Sequence, residues 1–300
     1  MNRWWIYQRE RFPFAAHAPL ILAFSASAVS YSALLRSSEP PPAMISFVVA
    51  FVVSLGSFLL LRIADEFKDA AEDARFRPYR PVPRGLVTLR ELGWIGVAVA
   101  ALQFALAVRI GWPLVGLLAV TWIYFALMSE EFFARRWLKA RPVIYLFSHM
   151  LIMPLVDWFA TGCDWVRAGH EMPAGLFWFL AASFCNGIVI ELGRKIRAPE
   201  QEETGVESYS FLWGRRNATA AWLVAMASTL LCAIIAAQRI DFSFPVLLTL
   251  SGLWIGALAL GLTFLRTLKA RAAKGIEVYS GVWTLALYLS LGVVPLWLKK

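Results

Sequence analysis

The chain has little charge and few of the residues that build soluble metal or disulfide sites. Of its 300 residues only 16% are charged, whereas soluble domains carry about 25%. The three cysteines are far apart in the sequence, so they match neither a disulfide framework nor a zinc-ligand spacing. A glycine-rich phosphate loop, an HExxH motif and a serine-hydrolase elbow are also missing. These absences exclude disulfide-rich scaffolds and several classes of soluble enzyme.

Long apolar runs fill the chain instead, and 59% of its residues are hydrophobic. Runs of roughly 18 residues or more are typical of membrane-spanning helices. Lipid offers no hydrogen bonds to bare backbone, so helices are favoured over open strands. We therefore predict an all-α integral membrane protein with nine transmembrane helices. They are expected at residues 14–35, 43–63, 92–110, 113–129, 142–160, 173–190, 217–238, 243–265 and 278–297.

The basic residues are distributed unevenly between the two sides of the predicted bundle. The formal net charge is +9, and most of the 29 lysine and arginine residues fall in connections on one side. By the positive-inside rule this side is cytoplasmic. We predict a protein of the bacterial inner membrane with a cytoplasmic N-terminus and a C-terminus on the opposite side. The charge then reflects orientation in the membrane, and no nucleic-acid partner is expected.

Two connections are long and charged, at residues 64–91 and 191–216. They follow the second and sixth predicted helices, so they lie on the same side and four helices apart. This spacing favours a single domain over residues 1–300, with two four-helix halves and a ninth helix. Because sites in repeated membrane folds lie at the interface between repeats, both connections are predicted to be active-site loops.

An acidic segment follows the second apolar run. Asp65, Asp69 and Asp73 are spaced by four, which places them on one face of a helix. Three like charges on one face repel each other, and a divalent cation would offset that repulsion. Carboxylate oxygens suit Mg²⁺, which usually completes its shell with water and substrate phosphates. The alternative is a solvated helix end at which Lys68 and Arg75 neutralise the acids.

Arginines follow this segment directly. Arginine binds phosphate with a planar, bidentate fork, so Arg77 and Arg80 are predicted to contact a phosphate group. Carboxylates for a metal beside arginines for phosphate are typical of a diphosphate site.

Residues 65–73, DEFKDAAED, resemble the first Asp-rich motif of the UbiA superfamily of intramembrane prenyltransferases, NDxxDxxxD. Asp65 stands at the asparagine, and Glu66, Asp69 and Asp73 stand at the three acidic positions. The following RPYRPVPRG is similar to the Arg-rich continuation of that motif. The resemblance implies Mg²⁺-dependent transfer of a prenyl group from an isoprenoid diphosphate to a small or lipidic acceptor. It also implies that these four residues bind metal, with the three aspartates catalytic, beneath a cavity open to lipid.

The second loop departs from the family pattern, which usually carries DxxxD after the sixth helix. Here Glu191 stands alone and is followed by Arg194, Lys195 and Arg197. Glu191 is predicted to be a further metal ligand, in a site with fewer acids than the family has. The three cations are predicted to bind the donor diphosphate or a second anionic group. A positive-inside anchor is the alternative.

Three other polar residues are candidates because ionisable and polar groups inside a membrane are often functional. His149 is predicted to orient an acceptor or take a proton, although a helix-packing role fits its position equally well. Asn186 is predicted to point its amide into the cavity. Lys139 is predicted to be an additional diphosphate contact.

The leading prediction is therefore a Mg²⁺-dependent membrane prenyltransferase. Its 14 Trp, 21 Phe and 8 Tyr residues can supply apolar walls that keep water from an allylic cation. Three alternatives stay open: phosphoribosyl transfer to a polyprenyl phosphate, an intramembrane terpene cyclase, and a non-catalytic lipid-binding or transport protein.

Overall fold

The chain is built from helices. The computed structural model describes residues 2–37, 40–203 and 205–299, and this part of the chain contains α-helices and short 3₁₀ turns but no β-strand. The helices are α1 (Arg3–Arg11), α2 (Phe14–Leu35), α3 (Met44–Lys68), α4 (Ala70–Phe76), α5 (Leu89–Ile110), α6 (Trp112–Ser129), α7 (Arg135–Lys139), α8 (Pro142–Met150), α9 (Ile152–Trp165), α10 (Leu176–Arg194), α11 (Tyr209–Trp213), α12 (Arg215–Gln238), α13 (Ser243–Thr267), α14 (Ala270–Leu291) and α15 (Val293–Leu298).

Within the described residues, nine helical segments are long and apolar enough to cross a membrane. Seven are single helices, and the other two are the consecutive pairs α8–α9 and α14–α15. The predicted number and order of spans are confirmed. Several ends differ from prediction by four to eight residues. Helices α3, α9 and α10 continue to Lys68, Trp165 and Arg194 instead of residues 63, 160 and 190, and α14 begins at Ala270 instead of residue 278. Apolar runs mark the hydrocarbon region, whereas a helix can continue into charged sequence beyond it.

The spans pack in chain order. Helix α2 contacts α3, α3 contacts α5, α5 contacts α6, and α6 contacts α9. The order continues through α10, α12, α13 and α14, and α14 also packs against α2. The spans thus form a closed ring. Helix α9 contacts α2 and α3 as well, so the interior of the ring is narrow on that side.

The fifth span is broken near its middle. Helix α8 ends at Met150 and α9 begins at Ile152. Pro154 lies just after the break, where proline removes one backbone donor and its ring crowds the carbonyl four residues earlier. The sequence predicts that His149, Met153 and Asp157 share one face of a continuous helix. The break places His149 in α8 and the other two in α9, although all three side chains are buried.

Buried polar groups tie the spans together. The Gln103 side chain donates to the Val53 carbonyl at 2.9 Å and to Ser57 at 3.0 Å, and it accepts from Trp122 at 3.0 Å. Because lipid cannot satisfy these groups, such internal bonds fix the register of α3, α5 and α6. A bidentate ion pair between Arg36 and Asp164 joins the end of α2 to α9.

The Arg36 guanidinium contacts both carboxylate oxygens of Asp164, at 2.9 Å and 2.6 Å. Ser32 donates to the same carboxylate at 2.7 Å. Both charged side chains are buried. The bidentate geometry fixes the docking of α2 on α9, although Arg36 Nη1 has no partner in the described part of the chain.

Candidate active site

The acidic segment lies at the junction of α3 and α4. Helix α3 ends at Lys68 and α4 begins at Ala70, with Asp69 between them at φ −95° and ψ 3°. The backbone N–H of Asp69 still donates to the Asp65 carbonyl at 2.9 Å, and that of Asp73 donates to the Asp69 carbonyl at 2.8 Å. The four-residue spacing is therefore kept through the bend, but the bend gives the three carboxylates different surroundings.

Asp65 and Asp69 carry the least compensated negative charge of the segment. The Asp65 carboxylate is 46% exposed and has one distant ion pair, to Arg62 at 3.4 Å. The Asp69 side chain has no ion pair or hydrogen bond within the described residues. Burial, and then the charge of Asp65, raises the pKa of the Asp69 carboxyl above its ordinary value. A cation placed between these two carboxylates would relieve that unfavourable charge.

Asp73 differs from Asp65 and Asp69, because two arginines donate hydrogen bonds to its carboxylate. Arg77 donates to one carboxylate oxygen at 3.0 Å and Arg80 donates to the other at 2.6 Å. The Asp73 side chain is buried. Asp73, the predicted metal ligand, is thus paired with Arg77 and Arg80, the predicted phosphate contacts. Asp73 cannot bind a metal, and the two arginines cannot bind a phosphate, unless these ion pairs break.

Glu66 is also engaged. Its carboxylate pairs with Arg11 at the end of α1, and both side chains are buried. Tyr7, on the same helix, packs into a small apolar cluster with Ile63 and Leu92. Glu66 therefore anchors α1 to α3, and Arg11 occupies its carboxylate. Sequence reasoning did not single out Arg11, which lies 55 residues from its partner.

The charged side chains of the second loop pair with one another. Arg194 donates to one oxygen of Glu191 at 2.6 Å, and the Lys195 ammonium is 2.7 Å from the other. Arg197 turns away, and its guanidinium contacts the Gln201 carbonyl at 3.2 Å and the Glu203 carboxylate at 3.5 Å. The predicted basic triplet is thus split, and Glu191 is neutralised by two cations.

Lys139 approaches the acidic segment from another connection. Its ammonium donates to Glu72, on α4, at 3.0 Å, and Arg135 is 3.5 Å from the same oxygen. The hydrogen bond from Lys139 lowers the pKa of the Glu72 carboxyl. This contact brings α7 beside α4, and Glu72 holds the ammonium of Lys139, the predicted diphosphate contact.

Two neighbouring cavities run inward from the end of α3. The polar cavity includes Asp65, Lys68, Ser129 and His149 in its lining, and the apolar cavity includes Leu60, Trp122, Ile152 and Val156. Leu61 and Phe125 line both. Both are small: the apolar cavity has a volume of about 10 Å³ and the polar cavity a volume of about 30 Å³. A polar opening at the acidic segment therefore leads into an apolar space between α3, α6 and α9.

A cluster that the sequence analysis did not predict lies beside the polar cavity. The Lys68 ammonium donates to the Tyr145 hydroxyl at 3.1 Å and is 3.2 Å from a carboxylate oxygen of Glu131. Glu131 begins a turn, Glu131–Phe133, in which all three residues have positive φ, from 49° to 56°. Left-handed backbone costs about 1–2 kcal/mol per residue outside glycine, and such strain often occurs at functional sites. Only the acidic character of Glu131 was visible in the sequence.

His149 and Asn186 are separated by the fold. His149 lines the polar cavity. Asn186 is fully buried and accepts a hydrogen bond from Thr284 on α14 at 3.1 Å. Asn186 lines neither cavity, so its predicted role in them finds no support in the geometry.

The predicted five-carboxylate metal set is not assembled in one place. Within the described residues, no group of three or more His, Cys, Asp or Glu side chains is arranged to hold a metal ion. Asp65 and Asp69 remain the pair free of strong partners. Two carboxylates fit Mg²⁺, which commonly takes one or two from the protein and fills its octahedral shell with water and phosphate oxygens.

The family model described as the UbiA prenyltransferase family matches residues 22–281. This match covers nearly the whole bundle, including α3, the acidic segment and both charged connections. The chain belongs to the UbiA prenyltransferase family. No curated protein matches it in sequence.

Solved structures of this family share the fold. A UbiA homologue from Aeropyrum pernix K1, in its apo form, is 15% identical with a TM-score of 0.67, over 93% of this chain and 97% of that one. A digeranylgeranylglyceryl phosphate synthase is 13% identical with a TM-score of 0.64, over 99% of both chains. A UbiA homologue from Archaeoglobus fulgidus bound to GPP and Mg²⁺ is 13% identical with a TM-score of 0.55, over 95% of this chain and 99% of that one.

Proposed function

We propose that the protein is a Mg²⁺-dependent prenyltransferase that takes a prenyl group from an isoprenoid diphosphate, passes it to an acceptor and releases diphosphate. Membership of the UbiA prenyltransferase family supports this reaction class. The Archaeoglobus fulgidus homologue has been solved with GPP and Mg²⁺ and with DMAPP and Mg²⁺. These complexes support the same donor class and the same cofactor here.

The observation that carries the proposal is the Asp65–Asp69 pair at the mouth of the two cavities. Asp65 lines the polar cavity. Burial, and then the charge of Asp65, raises the pKa of Asp69, whose side chain has no ion pair or hydrogen bond in the described part of the chain. These two side chains would hold Mg²⁺. When bound, the cation would neutralise charge that builds on the departing diphosphate. The uncompensated carboxylates thus favour binding of a cation, and the bound cation favours binding of a phosphate group.

Cations of the protein surround this position. Arg194, at the end of α10, interacts electrostatically with Asp65, and Lys139 lies on the other side, against α4. Both can bind diphosphate oxygens after releasing their present acidic partners. Charge-assisted bonds to phosphate are among the stronger hydrogen bonds in proteins, so this exchange of partners is chemically reasonable.

The apolar lining between α3, α6 and α9 suits the hydrocarbon part of the donor, which would have to part these helices to widen a cavity of about 10 Å³. Leu60, Trp122, Phe125 and Ile152 present no charged group to it. A prenyl chain placed there would leave its allylic carbon near the acidic segment. Exclusion of water protects an allylic cation from hydrolysis, and aromatic faces attract positive charge.

Among the alternatives, phosphoribosyl transfer to a polyprenyl phosphate was favoured by the basic second loop. In the present structure Arg194 and Lys195 neutralise Glu191 and Arg197 binds its own loop. A phosphate on the acceptor would have to displace these partners, as the donor diphosphate would have to displace Glu191 from Arg194. The products distinguish the remaining alternatives from prenyl transfer. A cyclase forms a cyclised product without an acceptor, and a non-catalytic protein forms no product.

The experiment is diphosphate release by the full chain in lipid nanodiscs. Geranyl and dimethylallyl diphosphates and longer homologues are supplied with pooled aromatic and lipid acceptors, in Mg²⁺ or in EDTA. Phosphoribosyl diphosphate with a polyprenyl phosphate forms a separate arm. We expect Mg²⁺-dependent release from a prenyl donor, lowered about 100-fold or more in Asp69→Asn, since the lost interaction acts on charge developing in the transition state.

The matched control is Glu171→Gln, an exposed carboxylate in the connection between α9 and α10, which should leave release unchanged. Full activity in Asp69→Asn would refute the metal assignment. Product masses identify prenyl transfer, phosphoribosyl transfer or cyclisation. Donor binding without release from any donor would favour a lipid-binding protein and overturn the proposal.

A further inference from the structure

We propose that Cys185 on α10 and Cys232 on α12 form a lipid-facing dithiol, which a lipid hydroperoxide oxidises to a disulfide that joins the two helices. Neither residue lines either cavity, so this modification site is separate from the proposed prenyl-transfer site. The second charged loop and α11 lie between the two cysteines in the sequence, and their spacing therefore gives no sign of the pair.

The fold brings two of the three cysteines into contact. A side-chain hydrogen bond joins the thiol of Cys185 to the thiol of Cys232. Both thiols are free, and both side chains are half-buried. The third cysteine, Cys163, is fully buried on α9 and takes no part in this contact. Two reduced thiols thus lie beside each other on neighbouring spans.

Contacts on either side of the pair show that α10 and α12 run in register. Toward the second charged loop, a Cβ placed on Gly193 would lie 3.5 Å from the Trp222 indole nitrogen. Toward the other end, Tyr31 stacks on Phe179 with ring centroids 4.7 Å apart, and its hydroxyl donates to the Ala236 carbonyl at 3.0 Å. The same number of residues separates Gly193 from Phe179 as separates Trp222 from Ala236. The two antiparallel helices are therefore aligned over this whole length.

Cys185 and Cys232 lie at nearly the same level of this alignment. Cys185 is six residues from Phe179, and Cys232 is four residues from Ala236. At a rise of about 1.5 Å per residue, the two positions differ in depth by about 3 Å. The register of the helices thus places the two side chains opposite each other, in agreement with the contact between their thiols.

The pair lies at the edge of the buried face of α12. Ala233, directly after Cys232, is fully buried, whereas Leu231, directly before it, is 61% exposed. A small residue such as Ala233 lets two helices approach closely, as a disulfide between them requires. Both cysteines are inside membrane spans, so the exposed side of the pair faces lipid acyl chains and not water.

This setting selects a lipid hydroperoxide as the oxidant, because it is already in the hydrocarbon region. One sulfur attacks the hydroperoxide, so that an S–O bond forms, the O–O bond breaks, and the lipid leaves as an alcohol with the proton of that thiol. The second sulfur then attacks the resulting sulfenic acid. An S–S bond forms, and the hydroxyl group leaves as water with the second proton. A dithiol reductant restores both thiols by exchange.

The test uses the full chain, with one copy in each lipid nanodisc. Some of the phospholipid carries an acyl hydroperoxide, and matched discs carry the corresponding acyl alcohol. The chain is then denatured, free thiols are labelled with a maleimide, and peptides are mapped without reduction. The hydroperoxide should remove two labelled thiols per chain and produce a peptide pair joined through Cys185 and Cys232. The alcohol should leave all three cysteines labelled, and reduction before labelling should restore all three in the oxidised sample.

Two control variants test the pairing. Cys163→Ala should still form the joined peptide, whereas Cys185→Ala and Cys232→Ala should each lose it. Leu231→Cys in the Cys232→Ala background moves the thiol by one residue, to a side chain that is exposed to lipid but turned away from α10. This thiol should not join to Cys185, although the hydroperoxide reaches it.

The proposal is overturned if the hydroperoxide leaves both thiols labelled, or if it produces sulfonic acids without the joined peptide. Joined peptides that contain Cys163, or a Leu231→Cys thiol that joins to Cys185 as fast as the native one, would overturn it as well. Tetrathionate, a charged oxidant, should leave the thiols of the alcohol discs intact, and equally fast oxidation by it would contradict a lipid-facing site. The wild-type peptide map identifies the joined residues directly, so the test does not depend on the folding of any variant.

Discussion

Asp69 and Asp73 look equivalent in the sequence but lie in opposite electrostatic environments. Asp73 is buried between Arg77 and Arg80, whereas Asp69 is half-buried without a strong partner. Loss of a charge has opposite consequences in these two environments. Removing one member of a buried ion pair strands its partners, while removing an uncompensated charge relieves repulsion.

We predict that Asp69→Asn and Asp73→Asn have different effects on metal-free stability. Asp73→Asn should lower the free energy of unfolding by about 1–3 kcal/mol, because two arginines lose their charged acceptor. Asp69→Asn should be as stable as the wild type or more stable. Thermal unfolding in detergent with EDTA measures both. An unchanged midpoint for Asp73→Asn, together with loss of Mg²⁺ dependence in turnover, would instead make Asp73 a metal ligand.

The types of residue in the site could be predicted from the sequence, but their partners could not. The four-residue spacing and the following arginines indicated a diphosphate site. Whether an arginine meets substrate or a neighbouring carboxylate depends on tertiary contacts, as Asp73 shows. The contact between Lys68 and Glu131 joins two segments that are distant in the sequence, and no local sequence pattern predicts it.

At the scale of the element, α1 is an amphipathic segment that ion pairs and a few apolar contacts hold against the bundle. Arg11 pairs with Glu66 in a buried contact, while Arg3 pairs with Glu91 at 2.6 Å in a more exposed one. Tyr7 packs below them. The fold thus uses Glu66, which stands at an acidic motif position, to anchor a helix.

We predict that Glu66→Leu alone lowers the free energy of unfolding by about 3 kcal/mol, because Arg11 is left buried without its partner. The double variant Arg11→Met with Glu66→Leu should recover most of this loss, since an apolar pair of similar size replaces the ion pair. Arg3→Met is the matched control, and an exposed pair contributes below about 1 kcal/mol.

Turnover of the double variant then separates the two roles of Glu66. If Glu66 only anchors α1, the double variant should keep Mg²⁺-dependent diphosphate release. A stable double variant with no release would mean that Glu66 binds the metal during the reaction. Thermal unfolding and diphosphate release on the same preparation provide both measurements.

The elements themselves were predictable where apolar sequence marks them. Over the residues that the structure describes, the nine predicted spans are confirmed in number and order. Their ends were less predictable because α3 and α14 continue into charged residues. The left-handed turn at Glu131–Phe133 has no glycine to signal it, so its backbone depends on tertiary packing alone.

At the scale of the whole molecule, the ring of spans brings distant segments to one end of the bundle. The ends of α3 and α10, the turn before α7 and the start of α8 all meet there, although they are far apart in sequence. The N-terminal helix α1 lies at the same end. Most lysines and arginines are in connections on this side, so the site and the basic charge share one face of the membrane.

The last prediction concerns which face this is. We expect the basic side to be cytoplasmic by the positive-inside rule. In a background with Cys163, Cys185 and Cys232 replaced by alanine, Arg75→Cys on α4 and Glu171→Cys between α9 and α10 each introduce one exposed thiol. Three spans separate the two positions, so they should lie on opposite sides.

A membrane-impermeant maleimide should label Glu171→Cys in intact spheroplasts and Arg75→Cys only in inverted vesicles. Labelling of both thiols after detergent solubilisation is the control for exposure. The reverse pattern would place the acidic segment outside the cytoplasm, where an intracellular prenyl diphosphate could not reach it. Labelling of both from the same side would contradict the three intervening spans and, with them, the path of the chain through the membrane.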